Sequence, residues 1–211
     1  MKGIEHHIPE RLLIAYAAGT LPKGFSLVVA AHVSMCDTCR AALEAHYAMG
    51  GALLEKEGKA AVSDEIKTDL MARLDEPAPE EPVFGRDGPY PGPVMAAMKG
   101  RAPRWRSLGA GVKQSILSAD ETGSVRLLSI PAGQAVPDHG HSGLELTMVL
   151  QGAFADETGT FGVGDVEVAD EELEHTPTAA PGDTCICLAA TDAPLRFSGF
   201  LPRVLQPFFG I

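Results

Sequence analysis

The stretch EPAPEEPVFGRDGPYPGPV, residues 76–94, cuts the chain into two halves that cannot share one pattern of secondary structure. Proline fixes φ and removes a backbone donor, so a run this dense in proline and glycine predicts neither helix nor central strand. It reads as a semi-rigid linker. Before it the apolar residues recur with helical spacing; after it they come in short β-branched runs between Gly, Pro and Asp. The expectation is an α + β chain of two domains: a helical bundle over residues 1–76, a linker over 77–104, and an all-β unit over 105–211.

Local signals place four helices in the first half. Pro9 suits a first helical turn, and Gly19 with Leu21-Pro22 is a stop, so helix one spans about 9–18. FSLVVAAHV (25–33) reads as helix two. DTCRAALEAHYAMGGALLEKE (37–57) reads as a long helix three with a weak point at Gly50-Gly51. Ser63 is a candidate N-cap, with Asp64 and Glu65 in the first turn of a fourth helix that runs to about Asp75. Its Ile66, Leu70 and Leu74 recur every four residues and form one stripe that has to be buried on something. In the second half SVRLLSIPAG, LELTMVLQGAF, FGVGDVEVA and DTCICLAAT read as strands of a sandwich or small barrel.

Of 211 residues, 28 are acidic and 17 basic, a net charge of −11. Residues 105–211 alone carry −9. So few cations cannot build a strongly basic face, which argues against direct nucleic-acid binding and for a protein or small-molecule partner. The longest apolar runs, LLIAYAA and SLVVAAHV, fall short of the ~20 residues of a membrane span. MKGIEHHIPE lacks the order of a secretory signal. A cytoplasmic protein is expected, whose four cysteines are thiols, metal ligands or redox sensors rather than structural bridges.

His32, Cys36 and Cys39 form H-x3-C-x2-C. Two thiolates three residues apart, with an imidazole one turn before them, can converge on one tetrahedral zinc, which needs a fourth ligand. The His6-His7 pair can supply it. The plainer reading of Cys36 and Cys39 is a pair of small buried residues or a thiol–disulfide couple. The stretch HHIPERLLIAYAAGTLPKGFSLVVAAHVSMCDTCR closely resembles the zinc-binding anti-sigma domain of the ChrR type, in its histidine pair, AYAAGTL, SLVVA and the closing H-x3-C-x2-C. The resemblance implies zinc ligands at His7, His32, Cys36 and Cys39. It further implies a domain that clamps an alternative sigma factor of the extracytoplasmic-function type and hides its polymerase-binding surfaces. The stripe of Ile66, Leu70 and Leu74 is then a candidate partner-binding surface, or it packs on its own domain.

A second constellation lies in GQAVPDHGHSGLELTMVLQG (133–152). Gly133, His139, His141, Glu145 and Gly152 satisfy G-x5-H-x-H-x3-E-x6-G, which resembles the first cupin motif. The three ligand-type residues share parity, so on one extended strand they point to one face. Inside a barrel two imidazoles and a carboxylate are costly unless a cation joins them. The second cupin motif, aligned from Gly164, lands on His175 as a fourth ligand, although Asp170, Glu172 and Ala179 replace its Pro, Gly and Asn. Three His and one Glu suit Zn, Mn, Fe, Co or Ni. Four protein ligands could close a tetrahedral site and leave no position for substrate.

Cys185 and Cys187 share one face of a strand, as core fillers or as an oxidation-sensitive pair. Taken together these features describe a regulator and not an enzyme: the helical half holds the sigma factor and the cupin half releases it. The resemblance gives the signal as oxidative or photo-oxidative stress, including singlet oxygen. The competing reading is a metal-dependent cupin dioxygenase or isomerase with a helical appendage.

Overall fold

The computed structural model describes residues 3–74, 76–77, 82–140, 142–193 and the backbone of 196–197. Its helices are α1 (Glu10–Ala17), α2 (Lys23–Val33), α3 (Asp37–Leu54), α4 (Asp64–Arg73) and α5 (Gly92–Ala97). Pro9 stands at the entrance of α1, and Gly19 at φ +69° closes it. A left-handed residue just past a helix is where glycine is favoured. Pro22 starts α2 two residues before the expected position. Gly50 and Gly51 do not break α3, which ends at Leu54. The Ser63 side chain caps α4 by accepting from the Ile66 N–H at 3.3 Å.

The strands are β1 (Arg106–Gly109), β2 (Val112–Asp120), β3 (Gly123–Ile130), β4 (His139–Gly140), β5 (Glu145–Gln151), β6 (Phe154–Ala155), β7 (Thr160–Phe161), β8 (Val166–Ala169), β9 (Glu174–His175), β10 (Thr178–Ala179), β11 (Cys185–Thr191) and β12 (Arg196–Phe197). A six-stranded antiparallel sheet runs β1-β2-β3-β11-β5-β8, and two three-stranded sheets run β10-β6-β7 and β12-β4-β9. The four expected strand runs correspond to β3, β5 with β6, β7 with β8, and β11. β1 and β2 were not expected. They are largely exposed and offer no long apolar run to read.

Both faces of the large sheet are covered, which side-chain parity makes plain. Leu146, Met148 and Leu150 of β5, Val125 and Leu127 of β3, and Leu188 and Ala190 of β11 share a core with Phe25, Val28 and Val29 of α2. On the opposite face Ile130, Val149, Cys185 and Cys187 pack with Phe154, Phe161 and Ala179. The helical half therefore lies on the outside of the barrel, and one core spans both. Full burial of a side chain such as Val28 or Val29 is worth roughly 1.5–3 kcal/mol.

The expectation that the proline-rich stretch holds no helix is corrected. Pro93 sits in the first turn of α5, where its missing N–H would have no helical partner anyway. Val94, Met95 and Met98 are buried in the common core, and Tyr90 and Phe84 pack on it. Gly92 is needed for close approach, since a Cβ there would stand 2.7 Å from the Phe84 carbonyl oxygen. α4 behaves in the opposite way: every one of its residues is exposed. Among the described residues no helix is long and apolar enough to cross a membrane.

Candidate metal centres

The first cluster is assembled where α2 ends. Cys36 follows the last turn of α2, its N–H bonded to the His32 carbonyl at 2.8 Å, and serves as the N-cap of α3. Its Sγ accepts from the Cys39 N–H at 3.5 Å. Both sulfurs thus sit at the N-terminus of α3. His7 arrives from the extended segment before α1, with Nδ1 3.3 Å from Cys36 Sγ and 3.6 Å from Cys39 Sγ. One ligand atom from each of His7, His32, Cys36 and Cys39 lies within 4.8 Å of the others. Ligands about a tetrahedral zinc at roughly 2.0–2.3 Å stand about 3.3–3.8 Å apart.

The protonation chemistry fits a cation. His32 is fully buried, and its Nδ1–H donates to the Gly164 carbonyl at 2.8 Å. The remaining nitrogen, Nε2, is buried without a hydrogen-bond partner. Burial lowers the His32 pKa against the opposing pull of Gly164, so the ring is neutral and its lone pair is on Nε2. Burial, with the neighbouring Cys36, pushes the Cys39 thiol up to about 11. A divalent ion would relieve both costs by taking the lone pair and replacing the thiol proton. His6, the other member of the pair, turns away: its ring packs on Phe161 at 4.4 Å and its Nδ1 lies 3.5 Å from Asp165.

The second cluster is inside the barrel. β4 and β9 place His139 directly opposite His175, with ring centroids 4.7 Å apart and both residues buried. His139 donates from Nδ1 to the Pro137 carbonyl at 2.8 Å. His175 donates from Nδ1 to Asp156 Oδ2 at 2.6 Å, with Glu167 Oε1 at 3.3 Å from the same nitrogen. With Nδ1 engaged on each ring, Nε2 is the nitrogen that each imidazole, once neutral, would turn to a cation. Glu145 opens β5, accepts from the Thr147 hydroxyl at 3.0 Å, and acts on His139 through its charge. His141 lies outside the described residues.

One expectation about this motif is corrected. His139 and Glu145 do not share an extended strand: β4 and β5 belong to different sheets. The chain turns at Ser142-Gly143, so the two residues approach by a crossing between sheets and not by parity.

Asp156 and Glu167 were not anticipated. Together with His175 they form a group whose ligand-type atoms lie within 4.8 Å of one another. The readable signal was Glu167 itself, a carboxylate between two valines on a strand, at the inward parity. Burial lifts Glu167 to about 7. Burial would also raise Asp156, but hydrogen bonds from Glu167, His175 and Thr158 outweigh it and hold this carboxyl well below the usual range. Burial lowers His175, yet hydrogen bonds to Glu167 and Asp156 and their charges bring it up to about 9.

This has a measurable consequence in chelated protein. A histidine whose pKa rises on folding from the usual 6.5 to about 9 contributes stability that is complete below pH 6.5 and lost as pH passes 9. Metal-free protein should melt at progressively lower temperature from pH 7 to pH 9, and metal in the barrel should flatten that slope by replacing the proton. Thermal unfolding across this range, with and without metal, checks it.

Cys185 and Cys187 do face the interior, with sulfurs 3.5 Å apart. The hydrogen bond from Cys187 lowers the Cys185 thiol, while Cys187 is raised well above the usual value by that bond, by burial and by the charges of Glu167 and Glu145. Arg126 is a further buried charge in the barrel, donating to Gln114 at 3.1 Å and to Ser124 at 2.6 Å and attracted by Glu145.

Two candidate centres thus lie in one chain, one helical and one in a barrel. The anti-sigma-E factor ChrR of Cereibacter sphaeroides is 55% identical over 211 residues, covering 99% of each chain. This chain belongs to the ChrR anti-sigma family. A family model described as the ChrR cupin-like domain matches residues 94–194, beginning inside α5. The crystal structure of Rhodobacter sphaeroides SigE in complex with the anti-sigma ChrR contains a similar chain, with a TM-score of 0.81 and 53% identity over 90% of this chain and 99% of that one. An RmlC-like cupin from Ralstonia eutropha JMP134 aligns over 47% of this chain and 69% of its own at 21% identity, with a TM-score of 0.43.

Proposed function

We propose that this protein binds and inhibits an extracytoplasmic-function-type sigma factor through its helical half, and that the cupin half governs release under oxidative or photo-oxidative stress. The observation that carries the reading is the exposed apolar surface of α3 and α4. Tyr47, Met49, Leu53 and Leu54 at the end of α3 and Ile66, Leu70, Met71 and Leu74 of α4 are all more than half exposed. Clusters of exposed apolar side chains on a helix mark protein interfaces. The solved ChrR relative was captured with SigE, which supplies the class of partner.

Zinc at His7, His32, Cys36 and Cys39 would do no chemistry. It would tie the segment before α1 to the α2–α3 corner and so fix the surface that the partner meets. In the barrel His139, His141, Glu145 and His175 would hold zinc or another divalent transition metal, with Asp156 and Glu167 orienting His175. Membership of an anti-sigma family favours this reading over a metal-dependent enzyme, since the fold alone assigns no activity. In this reading Cys185 and Cys187, with sulfurs 3.5 Å apart in the barrel, would be the oxidation-sensitive pair.

The purified chain should form a one-to-one complex with an extracytoplasmic-function sigma factor from the same cell and abolish its transcription in a reconstituted assay. A chain that leaves such transcription untouched and forms no complex overturns the proposal. A His139→Ala chain should still inhibit and fail to release when singlet oxygen is generated.

A further inference from the structure

We infer that the turn between β7 and β8, through Gly164 and Asp165, positions the ligands of the helical metal centre, so that metal binding there and docking of the barrel are one linked equilibrium. The inference rests on the reading of His7, His32, Cys36 and Cys39 as a metal site.

Three independent contacts reach that site from the turn. The Gly164 carbonyl accepts from His32 Nδ1 at 2.8 Å, across 132 residues of sequence. This bond sets the tautomer and aims Nε2 at the sulfurs. Asp165 Oδ1 accepts from the N–H groups of Glu5 at 2.7 Å and His6 at 2.9 Å, while its Oδ2 accepts from Gly162 at 2.8 Å. The Val166 N–H donates back to the His6 carbonyl at 3.2 Å. The residue before His7 is therefore held at both its N–H and its C=O. Ile4 closes over the turn: a Cβ on Gly164 would stand 2.5 Å from Ile4 Cδ1, at a φ of +93° that side chains rarely adopt.

The same stretch reaches the other centre. Glu167, three residues beyond Gly164, lies 3.3 Å from His175 Nδ1. Residues 164–167 thus touch a ligand of each cluster. Partners that orient a ligating histidine typically carry 10–100-fold in metal affinity. Linkage is reciprocal, so metal in the helical site must favour docking of residues 4–7 on the turn by the same factor.

The test uses the full-length chain loaded with cobalt(II), whose thiolate charge-transfer bands report the cysteine-containing site. Loss of the bands in Cys36→Ser assigns them. Gly164→Ala should bind cobalt and zinc about 10–100-fold more weakly in chelator competition and shift the bands. Asp165→Ala, which frees the N–H groups of Glu5 and His6 and keeps the Gly164 carbonyl, should weaken binding less. Gly182→Ala is the control for barrel strain: its φ is +114° and a Cβ there meets nothing within 4 Å. In unaltered protein the amides of Glu5, His6 and Val166 should exchange at least tenfold more slowly when metal is added. Equal affinities in Gly164→Ala and Gly182→Ala, with amide exchange indifferent to metal, overturn the inference. Absence of thiolate bands in the unaltered chain instead removes the metal reading beneath it.

Discussion

A Cys36→Ala chain is expected to lose the metal ion proposed for the helical site, more than about 4 kcal/mol of stability, and measurable affinity for the sigma factor. Loss of a metal site belongs to the few mechanisms that produce effects of this size. The alternative effect, removing one small buried side chain, is too small to account for it. In the metal-free state Cys39 would stay a buried thiol, raised to about 11, and His32 Nε2 would stay buried without a partner. An unpaired buried polar group costs about 1–3 kcal/mol. Small zinc-stapled units draw about 10–16 kcal/mol of apparent folding free energy from the ion. Here part of that is already supplied by α2 packing on the sheet, so the segment before α1 and the start of α3 should loosen while the barrel stays folded. Metal analysis per chain, denaturant unfolding and a binding titration measure the three effects. His139→Ala should remove the other ion and leave the grip intact. A chain that folds and binds the sigma factor equally well after exhaustive chelation contradicts the structural role.

The second large effect is expected on the interface alone. Leu70→Glu on α4 should leave thermal stability within about 0.5 kcal/mol, because a residue 57% exposed has little packing to lose. It should weaken sigma binding about 30-fold or more, since central apolar anchors carry 2 kcal/mol or more and an unpaired carboxylate would be buried in their place. Thr68→Glu adds the same charge on the opposite side of the helix and should change affinity by much less. Calorimetric titration of the variants beside their melting curves separates the outcomes. Unchanged affinity in Leu70→Glu would place the interface elsewhere.

What could be read in advance followed from how local each signal was. Pro9, Gly19 and Ser63 act within a turn of themselves, so the helices before residue 76 came within a few residues of their true ends. The candidate ligands His32, Cys36 and Cys39 lie within eight positions, so their closeness follows from local spacing. The partners that tune them do not work this way. Asp156 reaches His175 over 19 residues, and Gly164 reaches His32 over 132. Such contacts depend on sheet pairing and docking that no periodicity encodes. The common core left one trace: FSLVVAAHV is apolar nearly all round, the mark of a helix buried on more than one side. The helix at Gly92–Ala97 is hidden by the density of proline around it, although a first turn tolerates Pro93.

α4 is joined to the end of α3 by nine residues, 55–63, all exposed. Such a tether spans at most about 30 Å. Once a partner rests on Leu53 and Leu54, α4 searches for its own seat from a short leash, at an effective concentration in the millimolar range for a short flexible tether. With both helices on the partner, two separate footholds would act as one hold, and prising either loose would forfeit the avidity of the pair.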